Sequence, residues 1–184
     1  MIIEKIRTIG KEMNSVLEKI DQIEVEILIG DILKAKKIVG CGAGRVGMAT
    51  RAFIMRLGHL GKTAYFIGDT TVPSIGNGDL FLVASGSGET ESIYDLTKIA
   101  KNNWSRIAAI TGNPESRIGK LADTKVIIHA PSKTKPVSGL ISAQPMTTLN
   151  EQCLGIFFDA LVLELMDKTG ETHDTMWARH SNLE

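Results

Sequence analysis

Five short apolar runs, at positions 37–41, 64–67, 80–84, 107–110 and 126–129, punctuate this chain, and segments of helical periodicity separate them. This alternation is the strongest constraint on its fold. Runs such as Leu80-Phe81-Leu82-Val83 have no polar face, so as strands they must be covered on both sides. Strands that alternate with helices meet that demand as a five-stranded parallel sheet between two helical layers, an α/β fold. Crossovers in such sheets are right-handed, and ligands settle outside the carboxyl ends of the strands. Function is therefore expected in the loops after Cys41, Ile67, Ala84 and Ile110.

The rest of the chain frames this core. Ile2, Ile3, Ile6, Ile9, Met13, Val16, Leu17 and Ile20 recur at three- and four-residue steps and predict an amphipathic helix with a clean apolar stripe; a second helix covers about 23–35. Residues 130–145 carry Pro, Ser, Lys and Gly without periodicity, the pattern of a mobile loop or a lid. Residues 146–168 read as a long helix, apolar nearly all round. Such a helix must be buried on several sides, by a subunit contact or as a central core helix, and the contact is the favoured reading. At 184 residues the chain suits a single domain over 1–184, with N-terminal helices at 1–35, an α/β core at 36–168 and a C-terminal tail at 169–184.

Composition removes several function classes. Lys plus Arg and Asp plus Glu both total 21, so no net field draws the chain to nucleic acid or to an anionic membrane surface. No apolar run approaches the roughly 20 residues that span a bilayer. The charged N-terminus does not read as a secretory signal, which points to the cytoplasm. Cys41 and Cys153 lie in apolar surroundings, as buried free thiols do, and no metal-ligand spacing is present.

The third apolar run opens into Ser85-Gly86-Ser87-Gly88-Glu89-Thr90, and a helix follows. A helix N-terminus carries unpaired N–H groups and about half a positive charge. Glycines such as Gly86 and Gly88 let the backbone close around an anion there, and Ser85, Ser87 and Thr90 add hydroxyl donors. Helix capping alone would need one hydroxyl; three within six residues point to phosphate. The first run ends similarly. Gly42, Gly44 and Gly47 match G-x-G-x-x-G, and Asp69 stands where a dinucleotide's ribose would want an acid. Against a dinucleotide, the turn at 85–90 would have no task, and little chain remains for a separate substrate domain. Arg45 starts the next helix, either paired with the phosphate or simply exposed.

Together these motifs carry a resemblance. Gly-Ala-Gly-Arg at 42–45, Ser-Gly-Ser-Gly-Glu-Thr at 85–90 and QPMTTLNEQ at 144–152 resemble the sugar isomerase (SIS) domain. MRLGHLG at 55–61, NPES at 113–116 and RHSNLE at 179–184 are similar to the 6-phospho-3-hexuloisomerases within that family. The resemblance implies a single SIS-type three-layer αβα domain. It further implies interconversion of D-arabino-hex-3-ulose 6-phosphate and D-fructose 6-phosphate through an enediolate, in the ribulose monophosphate route of formaldehyde fixation. A homotetramer, no cofactor, no metal and a functional link to hexulose-6-phosphate synthase are implied as well.

On that basis Ser85, Ser87, Thr90, Gly86, Gly88, Gly44 and Arg45 would hold the substrate phosphate. Glu151, by position alone an ordinary first-turn carboxylate, becomes the base that moves the proton. His59 reads on spacing as a partner for a helix C-terminus, and His180 lies in a polar tail that could enter a neighbouring subunit; the resemblance makes both candidate catalytic histidines. Val46 stands where relatives commonly carry serine, so any phosphate contact there must come from its N–H. Thr111, Asn113 and Glu115 either rim the pocket or cap the next helix. An isomerase of another sugar phosphate, such as a pentose 5-phosphate, and a non-catalytic sugar-phosphate sensor are the alternatives.

Overall fold

Successive strand residues point to opposite faces of a sheet, so a fully apolar strand feeds two cores at once. That division organises the molecule, a computed structural model that describes residues 1–132, 137 and 139–183. Strands β1 (Ile38–Cys41), β2 (Ala64–Phe66), β3 (Leu80–Ser85), β4 (Arg106–Thr111) and β5 (Thr124–Ile127) form one sheet in the order β2-β1-β3-β4-β5. Every neighbouring pair is parallel. Ile38, Leu80, Leu82, Ala108 and Ile110 face one core, together with α1 (Ile2–Leu17), α2 (Gln22–Lys34), α3 (Gly44–His59) and α6 (Thr148–Thr169). Val39, Phe81, Val83, Ile107 and Ala109 face the other, beneath α4 (Glu91–Asn102) and α5 (Arg117–Leu121). The expected three-layer α/β architecture is the one observed.

Three expectations need correction. The fifth strand begins at Thr124 and ends at Ile127, two residues earlier than its apolar run suggests. It is an edge strand whose Thr124 bonds to Asp31 and Arg106, so polar residues contribute to it and mask its start. The stripe of α1 is only half used: Val16 is buried and Met13 and Leu17 pack on the core, while Ile2, Ile3 and Ile6 are exposed. Helix α6 is not apolar all round. It packs against α1 and α3, with Phe158 stacked on Phe53 at a centroid distance of 4.4 Å, and keeps an exposed stripe containing Ile156, Asp159, Leu163 and Glu164. The lid expected over 130–145 falls partly on residues 133–136 and 138, which lie outside the described residues. Among the described residues, no helix is long and apolar enough to cross a membrane.

Candidate active site where three helix N-termini meet

The chain leaves β1 toward β2 on one side and returns to place β3 on the other. This reversal opens a crevice at the carboxyl ends of β1 and β3, the place where ligands bind in open α/β sheets. Both glycine-rich turns lie there. They border a cavity of about 160 Å³ lined by Gly44, Arg45 and Val46 from α3, by Ser85 to Ser87 and Thr90 from the second turn, and by Thr147, Asn150 and Glu151 from α6. A larger cavity of about 670 Å³ lies at the opposite, amino end of the sheet. Four of its charges pair across it, Arg106 with Asp31 at 2.7 Å and Lys101 with Asp123.

The N-termini of α3, α4 and α6 all point into the smaller cavity, and none is capped by a side chain: Ala43, Thr90 and Thr147 make no cap hydrogen bond. Each end leaves first-turn N–H groups unsatisfied and brings partial positive charge. Three such ends around one crevice make an anion site. The turn hydroxyls reinforce it. Ser85 Oγ accepts from the Gly88 N–H at 3.1 Å, and Ser87 Oγ accepts from the Glu89 N–H at 3.2 Å. A hydroxyl that accepts inside the turn keeps its own proton to donate to a ligand. Thr90 occupies the N-cap position of α4, yet its side chain makes no cap bond, so capping does not account for it.

Gly86 and Gly88 have different tasks. A β-carbon on Gly86 would come within 2.7 Å of Asn150 Oδ1, so glycine there lets the Asn150 carboxamide lie against the turn. Gly88 has φ +66° and backs onto Ser116, behind the turn rather than in the cavity lining. Beyond the turn, Arg117 clamps the loop from α5: its guanidinium meets Glu89 at 2.8 Å and Glu91 at 2.8 Å, and its backbone N–H reaches Glu89 Oε1 at 3.0 Å. Hydrogen bonds from Arg117 hold both carboxyls below their ordinary values.

Glu151 is largely buried in the cavity wall, and both its oxygens are engaged. Thr147 Oγ1 donates to Oε1 at 2.7 Å, and Arg45 Nε pairs with Oε2 at 2.8 Å. Sequence reading did not single out Thr147 or Asn150; the signal for Asn150 is an amide on the buried face of an otherwise apolar helix. Thr111, Asn113 and Glu115 serve capping: Thr111 Oγ1 accepts from Asn113 N–H, Asn113 Oδ1 from Glu115 N–H, and Ser116 caps α5. Asp69, the acid expected of a dinucleotide site, pairs with Arg51 at 2.7 Å.

The two histidines are not brought to this cavity within one chain. His59 closes α3, whose opposite end begins at Gly44, roughly 22 Å away at helical rise. The polar C-terminal tail forms a short helix, α7 (His173–Trp177), and docks beside that far end of its own chain. There Arg179 donates to the His59 carbonyl at 3.0 Å, and the rings of His59 and His180 lie 5.3 Å apart. The tail therefore ties the two histidines to each other rather than to Glu151.

The chain is similar to proteins of one family. A profile of the SIS domain matches residues 31–155. A 3-hexulose-6-phosphate isomerase of Bacillus subtilis is 40% identical over 183 residues, covering 98% of both chains. Another of that name from Mycobacterium gastri is also 40% identical, covering all of this chain and 92% of its own. A crystal structure from Methanococcus jannaschii, from which the function of a 3-hexulose-6-phosphate isomerase was inferred, superposes with a TM-score of 0.84 at 34% identity, covering 98% of this chain and 99% of that one.

Proposed function

The chain belongs to the SIS domain family, and from that premise we propose that it is a phosphosugar isomerase interconverting D-arabino-hex-3-ulose 6-phosphate and D-fructose 6-phosphate. Its near-full-length relatives carry the name of that activity. The observation that carries the reading is the convergence of three uncapped helix N-termini on a cavity that also holds a buried carboxylate. A dianion and a proton acceptor are the two things this reaction needs held close together.

Ser85, Ser87 and Thr90, with the first-turn amides of α3 and α4, grip the phosphate. Glu151 takes the proton from C2 of the 3-ulose, the charge spreads to O3 as an enediolate, and the same carboxylate returns the proton to C3. Thr147 and Arg45 hold that carboxylate in place. The Arg45 side chain is 59% exposed, so it can shift its charge from Glu151 toward an arriving phosphate.

The exposed apolar residues Ile2, Ile3 and Ile6 on α1 and Ile156 and Leu163 on α6 support assembly into a homotetramer. In such an assembly the His59–His180 pair would serve a neighbour's site, out of reach of its own Glu151. The activity belongs in the cytoplasm, on the ribulose monophosphate route beside hexulose-6-phosphate synthase.

Coupled conversion of the hexulose phosphate to fructose 6-phosphate tests the reading. Purified protein should turn over that substrate and leave pentose 5-phosphates nearly untouched. Preference for a pentose phosphate would replace the substrate, and failure with every sugar phosphate would reject catalysis.

A further inference from the structure

Asn150 has no task in the reaction as described, yet it stands in the wall of the cavity. It is only 3% exposed, and it lines both the cavity and a small adjoining void floored by Ile110, Thr111 and Ile128. Of the described residues, Ser132, Gln144 and Gln152 have buried polar atoms left without a partner; the Asn150 carboxamide is not among these, and it lines the cavity. A carboxamide in a cavity wall can offer its N–H to a ligand there. Its carboxamide lies directly against the glycine turn, where a β-carbon on Gly86 would come within 2.7 Å of Asn150 Oδ1.

Asn150 precedes Glu151 in the first turn of α6 and lies against the second glycine turn, so its amide shares one cavity wall with both. A sugar anchored by its phosphate, with its reacting carbon at Glu151, would occupy the cavity this amide lines. We propose that Asn150 Nδ2–H donates to the substrate oxygen on which charge develops, making it the oxyanion donor of the isomerase. This rests on the phosphosugar isomerase reading above. As Glu151 takes the C2 proton, the C–H electron pair becomes the C2=C3 bond and the carbonyl pair moves to O3, where Asn150 holds it. Collapse returns the proton to C3, the hydroxyl proton of O2 passes to O3, and no co-reactant is consumed. A neutral carboxamide suits this task. It donates at any working pH and does not compete with Glu151 for the charge of Arg45, and its bond strengthens as the ketone oxygen becomes an oxyanion.

Asn150→Leu and Asn150→Ala test the assignment against wild type. Both remove the donor, and the alanine variant keeps the test open should the bulkier one fail to fold. Three quantities are read: kcat and KM with fructose 6-phosphate, the inhibition constant of inorganic phosphate, and the affinity of a hydroxamate analogue whose planar anion mimics the enediolate. The expected result is a fall in kcat of about 10²- to 10³-fold, with hydroxamate affinity falling alongside it and phosphate inhibition unchanged within about threefold. A folded variant with kcat near wild type would overturn the proposal and leave Asn150 a packing residue. Intact kcat with raised KM and weakened phosphate inhibition would overturn it by assigning the amide to the phosphate. Wild-type protein that turns over no hexulose phosphate would instead defeat the isomerase reading itself, and the Asn150 assignment with it.

Discussion

Glu151, the proposed base, is held by the fold itself. Thr147 and Arg45 fix both its oxygens, so its orientation is set before substrate arrives. Glu151→Gln preserves shape and removes the proton acceptor. It should cut kcat about 10²- to 10⁴-fold while fructose 6-phosphate still binds by calorimetry, and near-normal turnover would exclude Glu151 as the base. The cysteines are the opposite case, reactive groups made inert by position. Burial pushes the Cys41 thiol up to about 12 and the Cys153 thiol up to about 11. Native protein should therefore resist an aromatic disulfide reagent at pH 8, with both thiols titrating after unfolding in guanidinium. Their burial follows from the apolar stretches around them. The role of Asn150 does not, because an asparagine in a helix start looks alike whether it faces water or a cavity.

Elements carry the next level of demand. The glycine–serine turn after β3 is held between the end of that strand and α5 by Arg117 on Glu89 and Glu91. Both carboxyls titrate below the ordinary 4.5 when folded, so the clamp's contribution is present above that pH and is lost as pH falls through the lower, folded values. Wild type should lose more thermal stability between pH 5 and pH 3 than Arg117→Ala, and equal losses would show that the clamp contributes nothing to stability. On the opposite face, α6 is tied to α3 by the stacked rings of Phe158 and Phe53. Phe158→Ala should cost about 3–5 kcal/mol, read from urea midpoints, and should disturb the cavity because both helices deliver their N-termini to it. The element pattern was legible almost throughout, since fully apolar strands and amphipathic helices are local signals. The start of β5 was not, because an edge strand completes itself with polar partners contributed by α2 and β4.

For the whole molecule, the exposed isoleucines of α1 and the apolar stripe of α6 matter most. Ile3→Lys with Ile6→Lys should convert the proposed tetramer into smaller species by light scattering, leaving the α/β core folded by circular dichroism. If the His59–His180 pair acts across subunits, activity should fall with assembly. The sequence by itself determined the parallel sheet, its two-sided burial and the hydroxyl-rich turn after β3, because each is written in neighbouring residues. Only the tertiary structure decided that three uncapped helix ends share one crevice, that Asn150 is buried over Gly86, and that His180 meets His59 across 120 intervening positions. The physical reason is that burial and convergence are set by crossover connections and packing between segments distant in the chain, which no local pattern of side chains encodes.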